Sequence, residues 1–121
     1  MTKLQLAKLR QQARELKARR SVLEHLAMQH NEMMAAYLLE RRLRPGAPAA
    51  YYMSVPTPRG SRHLYVRKTA VEEARRQTTG WREFSHGMAE WVRINRRIER
   101  LLREIGRGRC RKIELSVRRR R

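Results

Sequence analysis

Between Val71 and Ile105 the apolar side chains recur at steps of mostly three and four: Val71, Ala74, Trp81, Phe84, Met88, Trp91, Ile94, Ile98, Leu101, Leu102 and Ile105, with no proline among them. That spacing lines one stripe of an α-helix. Thr69 followed by Glu72 has the form of a capping box and predicts where the helix starts. Gly106 predicts its C-terminal cap. Gly80 and Gly87 lie inside it. Each costs about 1 kcal/mol against alanine, so each implies close packing or a bend. A long helix with one apolar stripe is marginal alone and has to be covered.

A covering surface lies at the other end of the chain. Thr2 to about Gln29 reads as helix, with Leu9, Leu16 and Leu23 seven residues apart and Leu6, Ala13 and Ala27 between them. A heptad of this kind forms a coiled-coil-like seam. Arg20 and His30 fall on the seam and weaken it. Two readings stand side by side: a homo-oligomerisation helix, or a helix that packs on the second helix of its own chain.

The middle of the chain changes character. Arg44-Pro45-Gly46-Ala47-Pro48 is a loop. Ala50 to Val55 and His63 to Arg67 are rich in aromatic and β-favouring residues and predict a hairpin, with a loop of about six residues over Pro56 to Ser61. Alternation places Tyr51, Met53 and Val55 on one face and Tyr52 and Ser54 on the other. On the second strand Leu64 and Val66 oppose His63, Tyr65 and Arg67. Met28 to Leu43 is compatible with helix or, over Ala36 to Leu43, with an extended segment. The expected fold class is α+β: two long antiparallel helices with a small β-hairpin between them, extendable by a third strand, and a basic C-terminal tail. Residues 1–106 are expected to form a single helical-hairpin domain, with the β-hairpin at about 50–67. Residues 107–121 are expected to be a tail that stays flexible without a partner, although Ile113, Leu115 and Val117 alternate as a short strand would.

Charge narrows the function. The 121 residues carry 30 Lys and Arg against 11 acidic residues, a formal +19. Pro45 to Lys68 contains four bases and no acid, and Gly106 to Arg121 eight bases and one acid. Thr69 to Ile105 is close to balance, with eight bases and six acids. A cationic excess concentrated in this way implies a polyanionic partner.

Catalytic constellations are missing. The chain has no Asp at all, no glycine-rich phosphate loop, no GxSxG and no paired Cys or His at metal spacing. Metal-dependent phosphodiester chemistry normally needs several converging carboxylates. No catalytic residue, metal site or cofactor is assigned, and the chain reads as a non-enzyme. The lone Cys110 allows neither an internal disulfide nor a structural zinc site. No apolar run is long enough for a membrane span, and the start of the chain lacks a signal peptide's apolar stretch. The expectation is a cytoplasmic protein, nucleoid-associated if bacterial, with no membrane partner.

Aromatic and basic residues interleaved on a hairpin suit nucleic acid, because bases stack on rings and phosphates pair with cations. The candidate contacts are Tyr52, Arg59, Arg62, His63, Tyr65, Arg67 and Lys68 on the hairpin segment, with Arg41, Arg42 and Arg44 as an adjacent cluster. Arg107, Arg109, Arg111 and Lys112, and then Arg118, Arg119, Arg120 and Arg121, form a second set suited to tracking phosphates with little sequence information.

The same segments carry a family resemblance. Ala50-Tyr51-Tyr52-Met53-Ser54 resembles a PYYYLS-like strand and Ser61-Arg62-His63-Leu64-Tyr65-Val66 a KTRTVYVP-like strand. Val71-Glu72-Glu73-Ala74-Arg75-Arg76-Gln77-Thr78, Trp81-Arg82-Glu83-Phe84 and Val92 with Ile94-Asn95-Arg96-Arg97-Ile98 resemble a long VEEAR…VNRxI helix. Together these are similar to an uncharacterised family of small basic proteins often found beside transposases. The resemblance implies a mobile-element setting and tilts Ala36 to Leu43 toward an extended strand. It implies no activity. The family's CGKxxCxC cluster is absent, replaced by Leu43-Arg44-Pro45-Gly46-Ala47-Pro48, so no zinc role carries over.

The expected function is therefore a nucleic-acid-binding accessory protein, with DNA favoured over RNA, associated with a transposon or another DNA-processing machine and a transposase or similar protein as partner. The rival readings are a coiled-coil-like structural or assembly protein and an RNA- or ribosome-associated basic protein.

Overall fold

The computed structural model describes residues 1–111 and 113. In chain order it contains helix α1 (Lys3–Ala27), strands β1 (Tyr37–Arg41), β2 (Ala50–Thr57) and β3 (Gly60–Val66), a 3-10 turn (Lys68–Ala70) and helix α2 (Val71–Gly108). The fold is α+β, and the third strand comes from the segment that local composition left open between helix and strand. Contacts divide the chain into two compact units, Met1–Glu24 with Glu90–Arg121, and His25–Ala89.

The first unit is an antiparallel helix pair. Ala13 packs with Leu101 and Ile105, and Leu23 with Ile94 and Ile98, while Leu6, Leu9, Leu16 and Trp91 pack around them. Partners descend along α2 as they rise along α1, as an antiparallel seam requires. The heptad positions of α1 are thus covered from within the chain. Each large aliphatic side chain buried there contributes about 1.5–3 kcal/mol. Arg20, which breaks the heptad, donates to Asn95 Oδ1 at 3.1 Å, so this polar seam position is satisfied. Trp91 Nε1 donates to Glu24 Oε2 at 3.2 Å, and Arg19 meets Glu90 through two hydrogen bonds of 2.7 and 2.9 Å.

Both expected ends of α2 need correction. Thr69 lies within the 3-10 turn. A cap residue needs extended backbone angles, so the expected capping box does not form there. At the far end, the helix continues through Gly106 to Gly108, and Gly106 lacks the positive φ of a terminating glycine. Gly108 instead gives room: a Cβ there would fall 2.6 Å from Met1 Sδ and 3.0 Å from Leu6 Cδ2.

The second unit is a three-stranded antiparallel sheet in the order β1-β2-β3, packed on the first turns of α2. Val66, Val71 and Ala74 are its buried centre, with Leu38, Tyr51 and Met53 against them. The register pairs Tyr51 with Val66 and Glu40, Tyr52 with Tyr65 and Leu39, Met53 with Leu64 and Leu38, and Ser54 with His63 and Tyr37. The expected six-residue hairpin loop is shorter. Pairing continues through Pro56↔Ser61 to Thr57↔Gly60, leaving only Pro58 and Arg59 as the turn. Pairing with β1 ends at Ser54. Pro56 therefore sits where one side of β2 is open and a missing N–H is tolerated. Pro58 supplies the fixed φ a turn favours, and Gly60 takes a φ of 110° that few other residues adopt.

Mid-helix Gly80 is explained by the segment that leads into β1. A Cβ there would lie 3.4 Å from both Asn31 Nδ2 and Met33 Cγ. Beside it the Met34 N–H donates to the Gln77 carbonyl at 3.0 Å. The glycine's propensity cost admits that close approach.

Candidate nucleic-acid interface

Paired residues in an antiparallel ladder share a face. The face packed on α2 therefore carries Leu38, Tyr51, Met53 and Val66. The opposite face carries Tyr37, Leu39 and Arg41 from β1, Ala50, Tyr52 and Ser54 from β2, and His63 and Tyr65 from β3. Arg67 follows in extended conformation, so alternation puts it on this side as well.

This open face is built of rings and cations. Tyr37 and Tyr65 are 58% and 62% exposed. Tyr52 and Tyr65 meet edge to face, centroids 5.8 Å apart and planes 70° apart. The Arg41 guanidinium lies over the Tyr52 ring, 5.3 Å from its centroid. One of its nitrogens is 2.7 Å from His63 Nδ1. Arginine has donors only, so Nδ1 is the acceptor in this contact. Tyr52 is thus the hub, with Tyr65 against its ring on one side and Arg41 held over it on another.

The candidate residues separate into groups. Arg41, Tyr52, His63 and Tyr65 come together on the open face, and Arg67 borders it. Arg62 pairs with Val55 and so belongs to the other face. Arg59 is at the hairpin turn, Arg44 in the β1–β2 loop and Lys68 in the 3-10 turn, all exposed. Arg42 is engaged inside its own loop, with Nη1 donating to the Ala47 carbonyl at 2.6 Å and Nη2 to Glu40 Oε1 at 2.8 Å. It stabilises the loop rather than extending the open surface. Arg107, Arg109 and Arg111 are exposed at the end of α2, in the first unit. Lys112, Arg118, Arg119, Arg120 and Arg121 lie outside the described residues, as does the Leu115 to Val117 part of the tail strand.

Tyr37 belongs to the open face and was absent from the candidate set. Its signal was the alternation Tyr37, Leu39, Arg41, which becomes readable once the segment is taken as a strand. Of the two tryptophans, Trp91 packs in the helix pair. Trp81 stacks on Phe84 with centroids 5.7 Å apart and remains half-exposed.

Fold and face define a small α+β protein that presents an aromatic and basic sheet surface. No family model, curated protein or solved structure matches the chain. Among the described residues, no helix is long and apolar enough to cross a membrane.

Proposed function

We propose that this protein is a non-catalytic nucleic-acid-binding protein that uses the open sheet face, and that DNA is its main ligand. One observation carries the reading: Tyr37, Tyr52 and Tyr65 share a solvent-facing surface with Arg41 and His63 instead of packing inward. Exposed rings on a pleated surface give up the burial that normally keeps tyrosine in a core. A ligand with flat π-faces and a regular anionic chain matches both residue types. Arg59, Arg67 and Lys68 lie in the acid-free segment and supply phosphate contacts around it, while Arg107, Arg109 and Arg111 give α2 a cationic end. The resemblance to transposase-associated proteins adds a setting, an accessory role beside a DNA-processing enzyme that brings its own carboxylates.

The test is binding of the full chain to labelled oligonucleotides across a salt series. The reading expects affinity that falls linearly on a log–log plot, because each neutralised phosphate releases counterions. Affinity weaker than about 10⁻⁴ M at physiological salt, below ordinary non-specific binding, would rule it out and favour an assembly role.

A further inference from the structure

The spacing of the rings on the open face bears on which form of nucleic acid could lie on it. Its two most exposed rings, Tyr37 and Tyr65, stand on the outer strands β1 and β3 and in adjacent rows of the ladder. Two strand spacings of about 4.8 Å across and one two-residue step of about 6.8 Å along put them roughly 12 Å apart. Bases stacked in a duplex strand follow one another at about 3.4 Å. A continuous stack cannot lay the face of one base on Tyr37 and the face of another on Tyr65. In a duplex the base faces are also covered by neighbours, and only edges are offered in the grooves. The major groove, about 12 Å wide, admits a helix or a two-stranded ribbon. The three strands here already span about 9.6 Å between outer backbones, before the outer chains' own width and the tyrosines are counted.

Tyr52 has a different part. Arg41 covers one side of its ring and Tyr65 meets it edge to face. It holds the exposed ring and the guanidinium in place. A base over Arg41 would meet a planar cation, which stacks as well as pairs.

We infer that the open face binds an unpaired nucleic-acid strand, with splayed bases stacked on Tyr37 and Tyr65 and phosphates contacted by Arg41 and Arg67. This rests on the nucleic-acid reading above and narrows it to the single-stranded form. DNA and RNA strands share the recognised chemistry, and the test separates them.

The experiment measures anisotropy of labelled oligomers of about twelve nucleotides, inside the ~4–16 range typical of such surfaces. Its probes are a DNA strand, an RNA strand, the matching duplex, and an abasic strand with the same phosphates. The full chain is expected to bind both base-bearing strands at least about tenfold more tightly than the duplex or the abasic strand. Preference for the DNA strand supports both readings, whereas preference for the RNA strand supports the single-strand inference and overturns DNA as the main ligand. Tyr37→Leu and Tyr65→Leu keep apolar bulk but remove the ring. Each is expected to weaken strand binding by about fivefold or more while leaving the salt slope unchanged. Tyr65→Phe restores binding. Arg41→Ala lowers the slope by about 0.7. Circular dichroism establishes that each variant is folded. Equal affinity for duplex, equal affinity for the abasic strand, or wild-type binding by the folded Leu variants would overturn the inference and leave the nucleic-acid reading standing. Failure to bind any probe would overturn both.

Discussion

Tyr52 and Tyr65 face each other across the β2–β3 ladder and meet edge to face at 5.8 Å, on the side of the sheet turned away from α2. Their contact stabilises the hairpin independently of any ligand. Edge-to-face pairs contribute about 0.5–1.5 kcal/mol beyond area burial. A double-mutant cycle of Tyr52→Ala and Tyr65→Ala, read by urea unfolding, is expected to give a coupling energy in that range. Additive single effects would mean that the rings do not support each other in solution.

The helix pair makes a sharper demand on two neighbours. Leu101 is 7% exposed on the seam and Leu102 is 46% exposed beside it. Leu101→Ala opens a cavity next to Ala13 and Ile105 and should cost about 2–5 kcal/mol. Leu102→Ala should stay within about 1 kcal/mol. Thermal melts of the two variants compare the same chemistry one residue apart. Similar losses at both positions would mean that the seam runs elsewhere.

Legibility in the sequence followed periodicity and failed where periodicity was short. The two faces of β2 could be read because Tyr51, Met53 and Val55 alternate cleanly with Tyr52 and Ser54. The seam of α1 could be read because it repeats over three heptads. β1 could not, because Tyr37-Leu38-Leu39-Glu40 suits helix as well as strand and only pairing with Ser54 to Tyr51 decides it. Tyr37 was lost with it. Composition places Pro56 in the hairpin loop, yet it extends β2, where the open side of the strand accommodates a residue without an N–H. Adjacency in the sequence groups Arg42 with Arg41. Arg42 lies just past the end of β1, in the loop, and turns to Glu40 and Ala47.

Two glycines should respond to alanine in opposite directions. A Cβ meets no atom within 4 Å at Gly60 or at Gly106, so sterics with neighbours do not separate them. Gly60 has a φ of 110°, which strains any residue with a Cβ. Gly60→Ala should destabilise the hairpin by about 1 kcal/mol or more. Gly106 sits in the last turns of α2 with ordinary helical geometry. Gly106→Ala should stabilise by up to about 1 kcal/mol. Denaturant midpoints that move in the same direction would contradict this assignment.

Gln77 presents the cost of an unsatisfied group. Its side chain is buried, with Nε2 donating to Glu73 Oε1 at 2.9 Å and Oε1 without a partner among the described residues. A buried acceptor left unpaired costs about 1–3 kcal/mol, whereas a bond to a carboxylate that stays in solvent returns about 1 kcal/mol or less. Gln77→Met keeps the volume and removes the orphan oxygen, so it should raise stability by about 1 kcal/mol. A loss of stability would show that the amide is satisfied in solution.

Acid should loosen the helix pair through Glu90. The hydrogen bond from Arg19 is the main cause that holds the Glu90 carboxyl below the ordinary glutamate range; the charges of Arg19 and Arg93 add to it, and desolvation opposes it. The same bond raises the Arg19 guanidinium further above its already high value. That side of the linkage falls at alkaline pH that protein melts do not reach. A carboxyl with a depressed folded pKa binds fewer protons in the folded than in the unfolded state, so its contribution is complete above the unfolded value, near pH ~4.3. It is lost as pH falls through the lower folded value. The wild-type protein should therefore exceed Glu90→Gln in melting temperature at neutral pH. The gap should hold constant down to pH about 5 and then close as pH drops further. Both side chains are half-exposed, so added salt should narrow the neutral-pH gap as well. A gap that keeps its size from pH 7 to pH 2 would show that Glu90 acts by shape and not by charge.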